Sequence, residues 1–193
     1  MDAVLMLLFA YLLGSVPTGF LLGSLSGVDV RQAGSGNVGA TNVARVVGKK
    51  QGLMTLVGDA AKGFIPAFLS PQLGFSFTIT SLAALAAFLG HLYPVFLRFQ
   101  GGKGVATALG IFLGLAPMAT LVLVFVFSFV AMVSRAVSLA SLVAAGLAPI
   151  VFWFFSYPHP FVWLSLLIAL LIIFRHRENI QRLISGAEPR FHL

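Results

Sequence analysis

Three short polar segments carry side chains suited to holding a phosphate-bearing molecule. The first runs Gly34-Ser35-Gly36-Asn37-Val38-Gly39-Ala40-Thr41-Asn42-Val43-Ala44-Arg45. Gly34, Gly36 and Gly39 fit G-x-G-x-x-G formally, but the dinucleotide motif needs a preceding strand and a βαβ unit. An apolar stretch of helical length precedes this segment and another soon follows, so that reading fails. The physical content of the pattern survives. Small residues expose backbone N–H groups, and a short helix starting near Val38 aims its first amides at an anion. On such a helix Thr41 and Arg45 share a face at i, i+4, while Ser35 and Asn37 can cap it or bind. Gly36, Asn37, Thr41 and Asn42 thus join Ser35 and Arg45 as candidate ligand contacts. The alternative is an interfacial loop whose glycines only make turns, although its polar residues are costly at a membrane surface without a polar ligand.

The second segment is Gly101-Gly102-Lys103-Gly104, preceded by His91 and followed by Val105-Ala106-Thr107. It lacks the first glycine of a Walker A motif and the Ser/Thr after the lysine, so nothing argues for nucleotide hydrolysis. Backbone amides of Gly101, Gly102 and Gly104 with one mobile ammonium nevertheless make a phosphate cradle at a helix start. The competing reading is a snorkelling lysine after a turn. His91 reads as structural before catalytic. The third segment, Phe174-Arg175-His176-Arg177-Glu178-Asn179-Ile180-Gln181-Arg182-Leu183, places His176 and Asn179 at i, i+3 on one helical face, with Glu178 able to brace Arg182 at i+4. Its arginines also serve as a basic flank to a membrane span. No H-E-x-x-H occurs, and His91, His159, His176 and His192 lack metal spacing, so no metal site is expected.

The elements that must position these residues are membrane helices. The chain has 193 residues, 59% of them hydrophobic and 9% charged, where a soluble domain carries roughly a quarter charged. Its mean hydropathy is +1.03. The absence of cysteine excludes a disulfide framework and thiolate metal sites. A bilayer crossing takes about 20 apolar residues. Ala3–Leu25, Gly52–Ser70 and Phe75–Leu97 each supply one. The charge-free runs Gly104–Ser134 and Ala136–Phe174 are each read as crossing and returning, broken near Pro117 and at Ser156–Pro160.

Seven spans then result, with the N-terminus outside and the C-terminus cytoplasmic, in one all-α polytopic bundle forming a single domain, 1–193. Under this count every basic residue except Lys62 lies on the cytoplasmic face, as the positive-inside rule requires. A five-span reading would place Arg135 outside. The net charge of +7 is therefore mainly an orientation signal. Asp59 and Lys62 sit within the second span, where each charge costs about 2.5–3.5 kcal/mol on insertion scales. They read either as a mutual pair or as polar lining on the substrate side.

Four ordered motifs resemble one family. Gly-Ser-Gly-Asn-Val-Gly-Ala-Thr-Asn-Val-x-Arg (34–45), Gly-Asp-x-x-Lys-Gly (58–63), Gly-His-x-x-Pro-x-Phe-x-x-Phe-x-Gly-Gly-Lys-Gly-Val-Ala-Thr (90–107) and Arg-His-x-Glu-Asn-Ile-x-Arg-Leu (175–183) are similar to those of the bacterial membrane acyl-phosphate:glycerol-3-phosphate acyltransferases, the PlsY family. The resemblance covers nearly the whole chain and shows no departure in the motifs.

It implies a multi-pass protein of the bacterial cytoplasmic (inner) membrane that moves a fatty acyl group from acyl phosphate to the sn-1 hydroxyl of glycerol 3-phosphate. The products are 1-acylglycerol 3-phosphate and phosphate. It implies no cofactor, no nucleotide and no nucleic-acid partner. The His-x4-Asp signature of acyl-CoA-dependent glycerophosphate acyltransferases is absent. Carried onto this sequence, the functional residues are Ser35, Arg45, Lys103, His176 and Asn179. Arg45 and Lys103 would clamp the substrate phosphate with Ser35 as a donor, and His176 and Asn179 would orient the glycerol hydroxyls. The Gly101, Gly102 and Gly104 amides would hold a phosphate, the leaving one included. Direct attack by the hydroxyl is favoured over an acyl-enzyme on Ser35, its proton going to His176 or to the substrate's own phosphate. An anion transporter would share the cationic sites but needs access from both faces, whereas the polar residues gather on one.

Overall fold

The computed structural model describes residues 2–190; His192 lies outside them. All regular structure among the described residues is helical. The chain divides into two compact units, Met1–Leu115 and Ala116–Leu193.

In the first unit the opening apolar run is two helices, α1 (Ala3–Gly14) and α2 (Thr18–Leu25). Asp2 caps α1 by accepting from the Val4 amide at 3.1 Å. Pro17 causes the break: it has no N–H to donate and blocks a helical turn through Val16. A short α3 (Ala40–Val46) follows the first glycine loop, then the long α4 (Lys49–Gln72) and α5 (Phe77–Leu92), capped by Ser76. A single 3-10 turn (Val95–Leu97) and the second glycine loop lead to α6 (Val105–Leu115). Helix α4 is the hub, touching α1, α2, α3, α5 and α6.

Small residues allow these contacts. A Cβ on Gly63 would strike Thr107, one on Gly110 the backbone of Ala60, and one on Gly14 the backbone of Ala87. Membrane helices gain little hydrophobic free energy from meeting each other, so close backbone approach and dispersion hold them together. Met6, Ala10, Ala83 and Ala87 form the buried seam of α1 and α5.

The second unit packs α7 (Pro117–Ser134) on α8 (Val137–Phe154), and α8 on α9 (His159–Arg175). Pro117 does not kink a continuous helix. It opens α7 at the first position, where a missing N–H is harmless. After α9 the chain turns by 61° at His176 into α10 (Arg177–Ile184).

Large apolar side chains point outward over most of the surface, among them Phe125 (72% exposed) and Trp153 (70%). That is the surface of an integral membrane protein. All seven expected apolar segments are helical, but they differ in length. Five satisfy length and composition, and α9 with α10 makes a bent sixth. Helix α6 has 11 residues, about 16 Å of rise against a hydrocarbon thickness of about 30 Å.

Candidate functional site

The first glycine loop is organised around one side chain. Asn42, in the first turn of α3, is 1% exposed. Its Nδ2 donates towards the carbonyls of Val30, Ala33 and Asn37 at 2.9–3.0 Å, and its Oδ1 accepts the Ser35 amide at 2.9 Å. Gly34, at φ +61°, brings the chain so close to Asn42 Oδ1 that any Cβ there would collide with it. Val30, Val38, Val43 and Leu97 pack beneath the loop. The Asn42 amide, expected among the ligand contacts, is engaged by backbone at both ends and holds the loop.

The outer surface of the loop is left to Ser35, Gly36, Thr41 and Arg45, all exposed, with Asn37 half-buried. The helix starts at Ala40, two residues later than expected. Gly36 donates its amide to Ala33. Arg31 is held by Asp29 through Nε at 3.0 Å and a second guanidinium N–H at 2.9 Å, and lies over the Phe20 ring. The Arg31 guanidinium and its backbone amide hold the Asp29 carboxyl at about 2.

The second loop is tied to α5 through its backbone. Gly101 donates its amide to Leu92 O at 3.1 Å and Gly102 to His91 O at 3.2 Å, closing the loop onto the last turn of α5. Those N–H groups face α5. The glycines serve close packing: a Cβ on Gly101 would strike the His91 and Leu92 carbonyls, and one on Gly102 the His91 imidazole. Gly104, at φ +86°, sits against Phe88 and Leu92 and gives its carbonyl to Ala108 as α6 begins. Lys103 is half-buried between the buried Gly102 and Gly104.

Beneath both loops lies a small cavity of about 10 Å³ lined by Ser15, Thr18, Val38, Asp59, Lys62 and His91, among others. Asp59 is 2% exposed and Lys62 5%. Lys62 Nζ lies 2.8 Å from Asp59 Oδ1 and donates to Val16 O at 2.9 Å, the carbonyl beside the Pro17 break. His91 Nδ1 stands 3.7 Å from the same Asp59 oxygen. Asp59 and Lys62 are therefore a mutual pair, and both line the cavity. Nothing in the motif spacing pointed to Val16, although Pro17 in an apolar run marks a broken helix.

In the second unit His176, at the bend, and Asn179, in the first turn of α10, are both buried. His176 Nδ1 lies 2.8 Å from Ile172 O. A carbonyl only accepts, so in the neutral ring Nδ1 carries the hydrogen and Nε2 the lone pair. Asn179 Nδ2 donates to Glu188 Oε1 at 2.6 Å, and Arg182 Nε to Glu188 Oε2 at 2.8 Å. Arg182 thus pairs with Glu188 and not with Glu178. Burial pushes the Glu188 carboxyl up, but the nearby Ser138 hydroxyl, hydrogen bonding from Asn179 and Arg182 and the Arg182 charge outweigh it and hold the group below its ordinary value. Glu188 lies beyond the motif, and no spacing rule points to it.

The family model described as "Glycerol-3-phosphate acyltransferase" matches residues 4–186. The glycerol-3-phosphate acyltransferase of Geobacter metallireducens is 55% identical over 188 residues, covering 97% of each chain. That of Trichlorobacter lovleyi is 50% identical over 182 residues and 94% of each chain. Crystal structures of PlsY (YgiH), an integral membrane glycerol 3-phosphate acyltransferase, superpose closely. The glycerol 3-phosphate form has a TM-score of 0.95 at 45% identity, covering 98% of this chain and 96% of that one. The lysophosphatidic acid form has a TM-score of 0.93 at 44% identity, covering 98% and 95%. With the motifs, the helical fold and these matches in agreement across nearly its whole length, the chain belongs to the glycerol-3-phosphate acyltransferase family.

Proposed function

We propose that this protein transfers a fatty acyl group from acyl phosphate to the sn-1 hydroxyl of glycerol 3-phosphate, releasing lysophosphatidic acid and phosphate as the first step of membrane phospholipid synthesis. The observation that carries the reading is the 45% identity over 98% of the chain to a structure holding glycerol 3-phosphate, together with its lysophosphatidic acid form. These two ligands are the acceptor and the acylated product of that reaction. The two units act as one acyltransferase domain, 1–193, in a bacterial cytoplasmic membrane. Seven apolar segments enter the bilayer, with the N-terminus outside and the C-terminus inside.

An acyl phosphate is a mixed anhydride with phosphate as a good leaving group, so catalysis needs positioning and charge stabilisation above all. Arg45 and Lys103 bind the glycerol 3-phosphate phosphate, with the exposed Ser35 hydroxyl as a donor and Gly36, Asn37 and Thr41 around it. Asn179 and His176 orient the glycerol hydroxyls. The sn-1 oxygen attacks the acyl carbon, the C–O bond to phosphate breaks, and phosphate leaves with that electron pair. The hydroxyl proton goes to His176 Nε2, the ring nitrogen left with a lone pair by the Ile172 contact, or to the substrate's own phosphate. Ser35 does not become acylated: no base stands near it in sequence to form a dyad.

Steady-state kinetics test the clamp. Arg45→Ala and Lys103→Ala are each expected to raise the KM for glycerol 3-phosphate about tenfold or more, in line with loss of a charge-assisted hydrogen bond. An unchanged KM in both would refute the assignment. An acyl-Ser35 adduct trapped in the absence of glycerol 3-phosphate would overturn direct attack.

A further inference from the structure

One face of α5 carries two buried rings, Phe88 and His91, at i, i+3. Each ring lies against a glycine that flanks Lys103 in the chain. A Cβ on Gly102 would come within 2.8 Å of His91 Cε1 and closer still to Nε2, and one on Gly104 would strike the edge of the Phe88 ring. Both glycines are buried, while Lys103 between them is half-buried. The Gly102 amide also donates to the His91 carbonyl at 3.2 Å. Lys103 is thus mounted on a short bridge of chain whose two feet rest directly on α5.

His91 is held in turn from α4. Its Nδ1 stands 3.7 Å from Asp59 Oδ1, and that carboxylate is fixed by Lys62 Nζ at 2.8 Å. Gly102 lies at the Nε2 end of the same ring. An apolar ring could fill the space beside Gly102, but it would turn carbon towards a buried carboxylate. The imidazole serves both neighbours.

We propose that His91 is a positioning residue: braced by the Asp59–Lys62 pair, its imidazole occupies the place of a Gly102 side chain and so fixes where Lys103 stands against the phosphate of glycerol 3-phosphate. This rests on the reading that Lys103 binds that phosphate. His91 acts through the backbone that carries the lysine. A lysine stem is flexible, so the place of its Cα is what the fold can control.

Because the ring and the missing side chain claim the same space, each position predicts the other. His91→Ala empties the space under Gly102 and lets the loop sink, whereas Gly102→Ala lifts the loop off the ring. Each alone is expected to raise the KM for glycerol 3-phosphate about tenfold, below the loss that about 1 Å of misplacement can bring, with a smaller change in kcat. In His91→Ala/Gly102→Ala the new methyl enters the vacated space. Its KM increase is expected to fall short of the product of the two single effects by about fivefold or more, as for residues coupled through a shared cavity.

The experiment measures KM, kcat and melting temperature of the detergent-purified full chain for these three variants, with Lys103→Ala alongside. If His91→Ala fails to fold, His91→Asn, which keeps a polar group near Asp59 but ends short of Gly102, takes its place in the cycle. A raised KM in both single variants, with the shortfall in the double, supports the proposal. KM effects that simply multiply overturn it, because two groups sharing one space cannot act independently. An unchanged KM in folded His91→Ala while Lys103→Ala is impaired assigns His91 a purely structural role, whatever the loss of melting temperature, and overturns the proposal alone. An unchanged KM in Lys103→Ala overturns the reading of Lys103 and the proposal with it.

Discussion

At the residue scale, two positions decide the shape of the loops. Asn42 answers four backbone groups from 1% exposure. Asn42→Ala leaves three carbonyls and an amide without that partner, and should destabilise the protein by about 2–4 kcal/mol. Asn42→Asp, which cannot donate to the carbonyls, should be no better. Thermal unfolding in detergent checks both, and a change under about 0.5 kcal/mol, the ordinary surface range, would show that the loop does not depend on Asn42. Gly102→Ala drives a methyl into the His91 ring and should displace the loop that carries Lys103. The expected readout is a raised glycerol 3-phosphate KM in a protein that still folds. The importance of both residues was legible in the sequence, but not their manner of acting. Glycines and asparagines beside a basic residue signal an anion loop, and the sequence does not say which of them face the anion and which hold the chain.

At the element scale, the buried charges of α4 join pieces that packing alone would leave loose. Lys62 binds both Asp59 and the carbonyl exposed by the Pro17 break. Removing one partner strands a buried charge, so Lys62→Met should cost about 3–5 kcal/mol. The double variant Asp59→Leu/Lys62→Met should regain much of that stability, because an apolar pair of similar size leaves no buried ion. Equal losses in the single and double variants would contradict this account. Glu188 adds a pH-dependent tie. Its folded value is held below the ordinary 4.5, so the tie is fully made above 4.5 and is lost as pH falls through the depressed folded value. Limited proteolysis of the C-terminal tail should accelerate only under such acid conditions. Acceleration already at neutral pH would contradict the pairing with Asn179 and Arg182.

On the scale of the whole molecule, composition and the spacing of basic residues were enough to reveal a helical membrane protein with seven apolar segments. They did not reveal that Val105–Leu115 is half the length of a crossing, because hydropathy reports polarity and only the Leu115 end and Pro117 start of the two helices divide the run. The chain contains no cysteine, so single cysteines report topology cleanly. Under the seven-segment orientation, Arg135→Cys and Ser185→Cys should be labelled from the cytoplasmic side, and Gln72→Cys and Tyr157→Cys from the outside. Labelling of Arg135→Cys from outside would restore the five-span alternative. The site divided in the same manner. Ser35, Arg45, Lys103, His176 and Asn179 stand in motifs that any reader of the sequence can find, whereas Val16 meets Lys62 from 46 residues away and leaves no local pattern. The central claim concerns the donor, and one assay addresses it. Purified protein is given glycerol 3-phosphate with either a fatty acyl phosphate or the matching acyl-CoA, and phosphate and lysophosphatidic acid are measured together. Equimolar phosphate and lysophosphatidic acid from acyl phosphate, with no acylation from acyl-CoA, is the predicted result; acylation from acyl-CoA with none from acyl phosphate would contradict it.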